Sequence, residues 1–251
     1  MSDNWEMYFT NVDDAPAAML VDMGAAENAP DPERPVLLWM WLNLKSPNED
    51  GLADDAEEPR LVEIEDAFID AVELTGDAIL VGRITTCGRR EFYFYAKSSV
   101  GFEDSIAESM QAFEEYEFET GEEVDEEWSH YTDVLFPDPE NMQEIFNNHV
   151  IEELSEAGDS LTTTRLVDHH ASFADDASLA SFVTAAEAEG FQKLSDEMSE
   201  DPDDELPHGV TLQREHAVDW GTIDEVTFVL FSLAGEHEGQ YAGWSSPVVT
   251  D

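Results

Sequence analysis

The segment Thr222-Ile223-Asp224-Glu225-Val226-Thr227-Phe228-Val229-Leu230-Phe231-Ser232-Leu233-Ala234-Gly235-Glu236-His237-Glu238-Gly239-Gln240-Tyr241-Ala242-Gly243-Trp244 decides the fold. Thr222 with Glu225 three residues later has the form of a capping box, which predicts a helix starting there. Val226, Val229, Leu230, Leu233 and Ala234 recur at the spacing of one apolar helix face. Gly239 stands where a positive-φ residue ends such a helix. Gln240 to Trp244 is too rich in aromatics and glycine to continue it and reads as a short strand. A helix running straight into an edge-forming strand is the closing half of a βαββαβ unit.

The opening half lies upstream. In Val167 to Phe173, Val167, His169, Ala171 and Phe173 alternate with Asp168, His170 and Ser172, the pattern of a half-buried strand. Ser178 is placed to cap a helix striped by Leu179, Phe182, Val183 and Ala186, which Gly190 stops. Phe191 to Met198 gives a second strand, an acidic loop with Pro202 and Pro207 follows, and His208 to Val218 gives a third. The order predicts a ferredoxin-like α+β sandwich.

The same order occurs earlier in the chain. Val36 to Leu44 is a strand, and Leu61, Ile64, Phe68 and Val72 stripe a helix ended by Gly76. Ala78 to Thr85 and Arg90 to Ala96 form a hairpin across Thr86-Cys87-Gly88-Arg89. Ile106, Met110 and Phe113 mark a second helix, and Tyr116 to Glu122 a last strand. The fold class predicted is therefore α+β, two tandem ferredoxin-like βαββαβ sandwiches, with domains at 1–137 and 138–251. Trp5 to Val12 and Ala17 to Met23 add an N-terminal β-hairpin to the first. Val36 to Leu42 is apolar on both faces, so its sheet needs a second cover; the hairpin and the other domain are the candidates, and the hairpin, nearest in sequence, is favoured. Between the units, Trp128, Tyr131, Leu135 and Phe136 are apolar anchors. Pro139 suits the first turn of a helix lined by Met142, Ile145, Phe146, His149, Val150 and Leu154.

With 251 residues, two domains of ordinary size are expected. A hydrophobic content of 42% argues for packed cores, despite a formal net charge of −50 from 60 acidic and only 10 basic residues. Such a surface repels phosphates, so direct binding to nucleic acid is not expected. The carboxylates are spread through nearly every helix and loop, which favours adaptation to a salty cytoplasm over mimicry of nucleic acid; at 1 M salt the Debye length falls to about 3 Å. The polar, acidic N-terminus has no secretory pattern, and no apolar run has the length of a membrane span. The single Cys87 excludes an internal disulfide and agrees with a cytoplasmic location.

Catalytic signals are absent. His169 and His170 are adjacent in a strand and point to opposite faces, so they cannot share one metal. No HExxH, GxSxG, Walker or GxGxxG pattern occurs, and no cofactor is expected. Gly82-Arg83 and Gly88-Arg89-Arg90 hold three of the ten basic residues; they bind an anion or, as the plainer reading, balance carboxylates across strands. Tyr241 and Trp244 read either as sheet packing or as anchors for a partner.

The second half resembles the family of the regulator of ribonuclease E activity B. The residues that carry this are Ile151-Glu152-Glu153-Leu154 with Gly158-Asp159, His169-His170, and Gly239-Gln240-Tyr241-Ala242-Gly243-Trp244, where Ala242 stands in place of the family's usual aspartate. The first half is similar to an uncharacterised family often fused to such regulators, through Trp5-Glu6-Met7-Tyr8, the Pro35 to Leu42 strand, Gly82-Arg83 and the run from Gly88 to Tyr95. The resemblance implies a ferredoxin-like, non-enzymatic protein that binds an endoribonuclease and inhibits its cleavage of RNA. On that reading Tyr241, Gly243, Trp244, His169 and His170 are the candidate partner-binding residues. The competing expectation is an enzyme or small-ligand sensor with its site in the N-terminal domain, which a polar pocket there would favour.

Overall fold

The computed structural model describes every residue except Met1, Asp3, Asp77, Pro202 and Asp251, with residues 70 and 73–76 described by their backbone alone. Pro202 of the acidic loop thus lies outside the described residues. The chain divides into two compact units, Met1–Asn141 and Met142–Asp251.

In the first unit, β1 (Trp5–Val12) and β2 (Ala15–Asp22) form a hairpin whose two-residue turn, Asp13-Asp14, has both φ angles positive. Then come β3 (Val36–Asn43), α1 (Glu58–Gly76), β4 (Ile79–Thr86), β5 (Arg89–Ala96), α2 (Phe102–Ser109) and β6 (Phe118–Val124). The sheet runs β1-β2-β4-β5-β3-β6 with every pair antiparallel. Its last four strands have the ferredoxin-like order, and the hairpin lengthens the sheet at the β4 edge. Cys87-Gly88, both at positive φ, make the β4–β5 turn, the backbone that matches the twist of a two-residue hairpin. Leu38, Met40, Leu42, Phe92 and Phe94 face α1 and α2, where Leu61, Ile64, Phe68, Phe102 and Ile106 close the core.

The hairpin does not cover the second face of β3. Pairing β2 with β4 satisfies one row of its backbone groups, whereas laying it across a face would leave both edges open. The segment 128–136, which includes a short π-helical turn, Tyr131–Leu135, covers that face at β2, β4 and β5. On β3 itself Trp39 and Trp41 stack on each other with ring centroids 4.4 Å apart and stay half-buried. Trp128 stacks on Tyr95 with ring centroids 4.0 Å apart, and its Nε1 donates to the Arg34 carbonyl at 3.0 Å. Tyr8 Oη donates to the Leu135 carbonyl at 2.8 Å and Tyr131 Oη to the Asp22 carbonyl at 2.7 Å. Aromatic bodies thus fill the face while their polar tips tie it to the strands.

The second unit contains most of α3 (Pro139–Glu156), then β7 (Arg165–Phe173), α4 (Asp176–Ala188), β8 (Gln192–Met198), β9 (His208–His216), α5 (Trp220–Glu236) and β10 (Gly239–Ser245). Its sheet runs β10-β7-β9-β8, again ferredoxin-like and antiparallel. Three local expectations are corrected. Helix α5 starts at Trp220, because Asp219 supplies the cap: its Oδ1 accepts from the Thr222 N–H at 3.3 Å. Asp175, not Ser178, caps α4, its Oδ1 accepting from the N–H groups of Ala177 and Ser178. Glu238 takes the left-handed turn after α5 at φ 58, and Gly239 already belongs to β10. Glycine is required there for space, since a Cβ would lie 2.2 Å from the Phe173 ring.

Among the described residues, no helix is long and apolar enough to cross a membrane.

Candidate functional site

The five candidate residues occupy two neighbouring strands, β7 and β10. Their register pairs Tyr241 with Ala171, Gly243 with His170 and Trp244 with His169. The irregularity between Tyr241 and Gly243 lets Tyr241 and Trp244, three residues apart, point to the same face. That face is the helix side. Tyr241 is 5% exposed, Trp244 4% and His169 1%. Of the two readings that the sequence left for Tyr241 and Trp244, the structure realises sheet packing. Neither their side chains nor that of His169 is available to a partner in this conformation.

His169 is held in a chain of four groups. Its Nδ1 lies 2.8 Å from Tyr241 Oη, its Nε2 3.0 Å from His216 Nε2, and His216 Nδ1 2.6 Å from the Ala217 carbonyl. A carbonyl only accepts, so His216 Nδ1 carries the hydrogen and the neutral ring's Nε2 is an acceptor. His169 Nε2 then donates to it, leaving His169 Nδ1 to accept from the Tyr241 hydroxyl. One arrangement of protons satisfies every atom, and it requires both imidazoles to be neutral. The surroundings enforce this. Burial, then the repulsion that a charged His216 would exert and the positive charge of Arg214, lowers His169 to about 3. Burial lowers His216 as well and raises Tyr241 well above the ordinary phenol value.

Trp244 has a different anchor. Its Nε1 donates to Asn147 Oδ1 at 2.9 Å, which also accepts from Gln143 Nε2 at 2.9 Å. Asn147 Nδ2 donates to Asp224 Oδ1 at 2.8 Å and to Thr227 Oγ1 at 2.7 Å. The amide therefore makes four bonds and joins α3, α5 and β10. The buried face of α3 is accordingly Gln143, Ile145, Asn147, Ile151 and Leu154. Met142 and Phe146, assigned to the apolar face by periodicity, are substantially exposed. Phe146 lies over Gly243, whose φ of +106 and lack of a side chain admit the ring: a Cβ would stand 2.6 Å from it. Nearby, Asp159 accepts from Arg165 Nη1 and Nη2 at 2.5 and 2.8 Å and from the N–H groups of Leu161 and Val249, both at 2.6 Å. The Arg165 bonds first, then the two backbone donors, pull its carboxyl down to about 2.

His170 stands apart, on the opposite sheet face. It is half-buried, with Nδ1 3.2 Å from Thr211 Oγ1 and Nε2 3.3 Å from Ser245 Oγ. Around it, Gln213 Nε2 donates to Asp168 at 2.6 Å, and Ser172, Ser195 and Gln240 complete an open polar face with no helix upon it. Asp168 is the carboxylate beside its centre, opposite Gln213, while Glu197 and Glu215 sit toward its margins.

The arginines of the first unit do balance carboxylates, but those of α1 rather than of neighbouring strands. Arg83 Nη1 donates to Glu65, and Arg90 Nη2 to both oxygens of Glu58 at 2.9 and 2.7 Å. Arg89 bonds Glu91 two residues on in its own strand and lies over the Trp41 ring. Among the described residues, no three His, Cys, Asp or Glu are placed to hold a metal ion.

Two family models match the chain. Residues 3–136 match the family of unknown function DUF695, and residues 144–246 match the family described as regulator of ribonuclease activity B. No curated protein matches. A crystal structure of an unknown protein from Galdieria sulphuraria is 7% identical, covers 84% of this chain and 99% of its own, and has a TM-score of 0.22. By the match over more than half of its length, the chain belongs to the DUF695 family of unknown function, and it carries behind that domain a second one of the regulator of ribonuclease activity B family.

Proposed function

We propose that this protein is a non-catalytic regulator that binds a ribonuclease through its second unit and slows RNA cleavage. The observation that carries the reading is the match of residues 144–246 to a family of ribonuclease regulators. The burial of Tyr241, Trp244 and His169 gives these residues a supporting role, fixing β10 and β7 so that the outward groups of the sheet keep their places. The face centred on His170 is the contact surface in this reading. On a chain of formal charge −50, the carboxylate beside its centre, Asp168, is already bonded to Gln213, so a partner can approach without burying an unpaired one. Gly243 contributes through Phe146, which it seats at the sheet edge.

The test uses the purified full chain, an endoribonuclease of the E type and a labelled RNA, in molar salt. The chain is expected to slow cleavage. His170→Glu with Ser195→Glu, which place charge at half-buried positions of the outward face, should abolish the effect while circular dichroism stays unchanged. Full inhibition by that folded variant would remove the face from the interface. No slowing by the unaltered chain would overturn the function itself.

A further inference from the structure

We propose that the first unit binds a small amphipathic monocarboxylate in a cavity beside the added hairpin. Strands β1 and β2 carry the sheet past α1 and α2, so the helix-side face of the hairpin has no layer above it. A cavity of about 310 Å³ lies there, bounded by the hairpin, β4, the start of α1 and the loop around Leu52. Its apolar wall includes Met7 and Phe9, 55% and 53% exposed, together with Leu20 and Leu52. Adjacent exposed apolar side chains on so acidic a surface call for an occupant. The register sets Met7 opposite Leu20 and Leu20 opposite Arg83, so the apolar groups run directly into a guanidinium.

The floor holds two arginines, Arg90 buried and Arg83 half-buried, and is short of one acceptor. Arg90, whose side chain is 4% exposed, donates from Nε to Thr85 Oγ1 at 3.2 Å and from Nη2 to Glu58. Its Nη1 has no hydrogen-bond acceptor among the described residues; Glu65 Oε2 stands 3.9 Å away and is already bonded to Arg83. One well-buried carboxylate thus serves two guanidinium groups, while Glu58, 40% exposed, is largely solvated. A ligand carboxylate supplies the missing oxygens in the planar geometry that guanidinium matches. The carboxylates of Asp55, Glu58 and Glu65 repel any anion, and a dianion such as phosphate meets about twice the repulsion of a monocarboxylate. The volume is at the small end of ligand pockets, which suits a short or medium acyl chain.

The probe is octanoate, titrated into the full chain in molar salt and followed by calorimetry and by the Met7 methyl resonance. Saturable binding with a Met7 shift is expected, with 1-octanol and inorganic phosphate each weaker by at least about tenfold, the scale of one charge-assisted hydrogen bond. Arg83→Met should weaken octanoate by a similar factor, and Phe9→Ser, at a half-exposed position that the fold tolerates, should weaken it too. If Arg83→Met fails to fold, Phe9→Ser and the octanol comparison decide alone. Octanol binding as tightly as octanoate would overturn the carboxylate assignment, and phosphate doing so would overturn the apolar one. No saturable shift at Met7, or unchanged binding in Phe9→Ser, would overturn the site.

Discussion

The two sheets share one strand order yet treat their second faces in opposite ways. In the first unit Trp128, Tyr131 and Leu135 seal it against Tyr95 and Tyr8, so the middle strands β4 and β5 are buried on both sides. In the second unit the corresponding face has no helix upon it, and its strands alternate apolar inward with the half-buried Asp168, His170 and Gln213 outward. The difference teaches where function can sit. A sheet buried on both faces leaves only its edges and extensions free, and the first unit's cavity lies on such an extension. A sheet buried on one face offers the whole of the other.

Salt should produce the largest effect, because the charge acts on both units at once. From tens of millimolar to molar salt, the melting temperature of the whole chain should rise steadily as carboxylate repulsion is screened. A flat profile would break the reading of the acidity as adaptation to salt.

Next come the two buried tryptophans. Trp128→Ala and Trp244→Ala should each cost about 3–5 kcal/mol, measured by urea unfolding in molar salt. The first should act on the Met1–Asn141 unit by opening its second face, and the second on the Met142–Asp251 unit through its helix-side core. Loss of the same transition in both variants would break the comparison.

The histidine chain gives the second unit a distinctive acid response. The folded values of His169 and His216 lie below the ordinary imidazole value, so the unfolded chain takes up protons first as pH falls. Stability from this source is complete above about pH 6.5 and is lost as pH falls, for His169 down to about pH 3 with a slope of up to about 1.4 kcal/mol per pH unit, and His216 adds to it in the same direction. The first unit contributes only His130, also lowered by burial, so its slope should be shallower. Imidazole resonances of His169 that titrate near pH 6.5 in the folded chain would contradict the neutral chain.

Asn147→Ala should cost less than either tryptophan, about 1–3 kcal/mol, by removing the acceptor of Trp244 Nε1 and Gln143 Nε2. His170→Ala should be smallest, within about 0.5 kcal/mol, as expected of a side chain on an open face. A large loss there, read from the same urea titration, would mean that the face is covered.

Repeating period-2 and period-3.6 patterns made the elements and the order of both units legible, because a strand or helix that buries one face must space its apolar residues accordingly. The adjacent histidines also declared themselves, since neighbours on a strand must face opposite ways. Helix ends were less legible: Thr222 and Ser178 resemble caps as well as Asp219 and Asp175 do, and only the backbone geometry chooses. The buried face of α3 was hidden for another reason. Its centre is Asn147, a polar residue that belongs in a core only once Gln143, Asp224, Thr227 and Trp244 surround it.

The sequence by itself determined two α+β units, their strand and helix order and the acidity of the surface, all of which follow from local periodicity and composition. Tertiary structure alone decided that the hairpin lengthens the first sheet and that residues 128–136 cover it. It alone paired His169 with His216, forty-seven residues away, and gathered Arg83, Arg90, Glu58 and Glu65 beneath Phe9. Those outcomes depend on which distant groups can satisfy one another's hydrogen bonds and charges in a dry interior, and no local pattern records that.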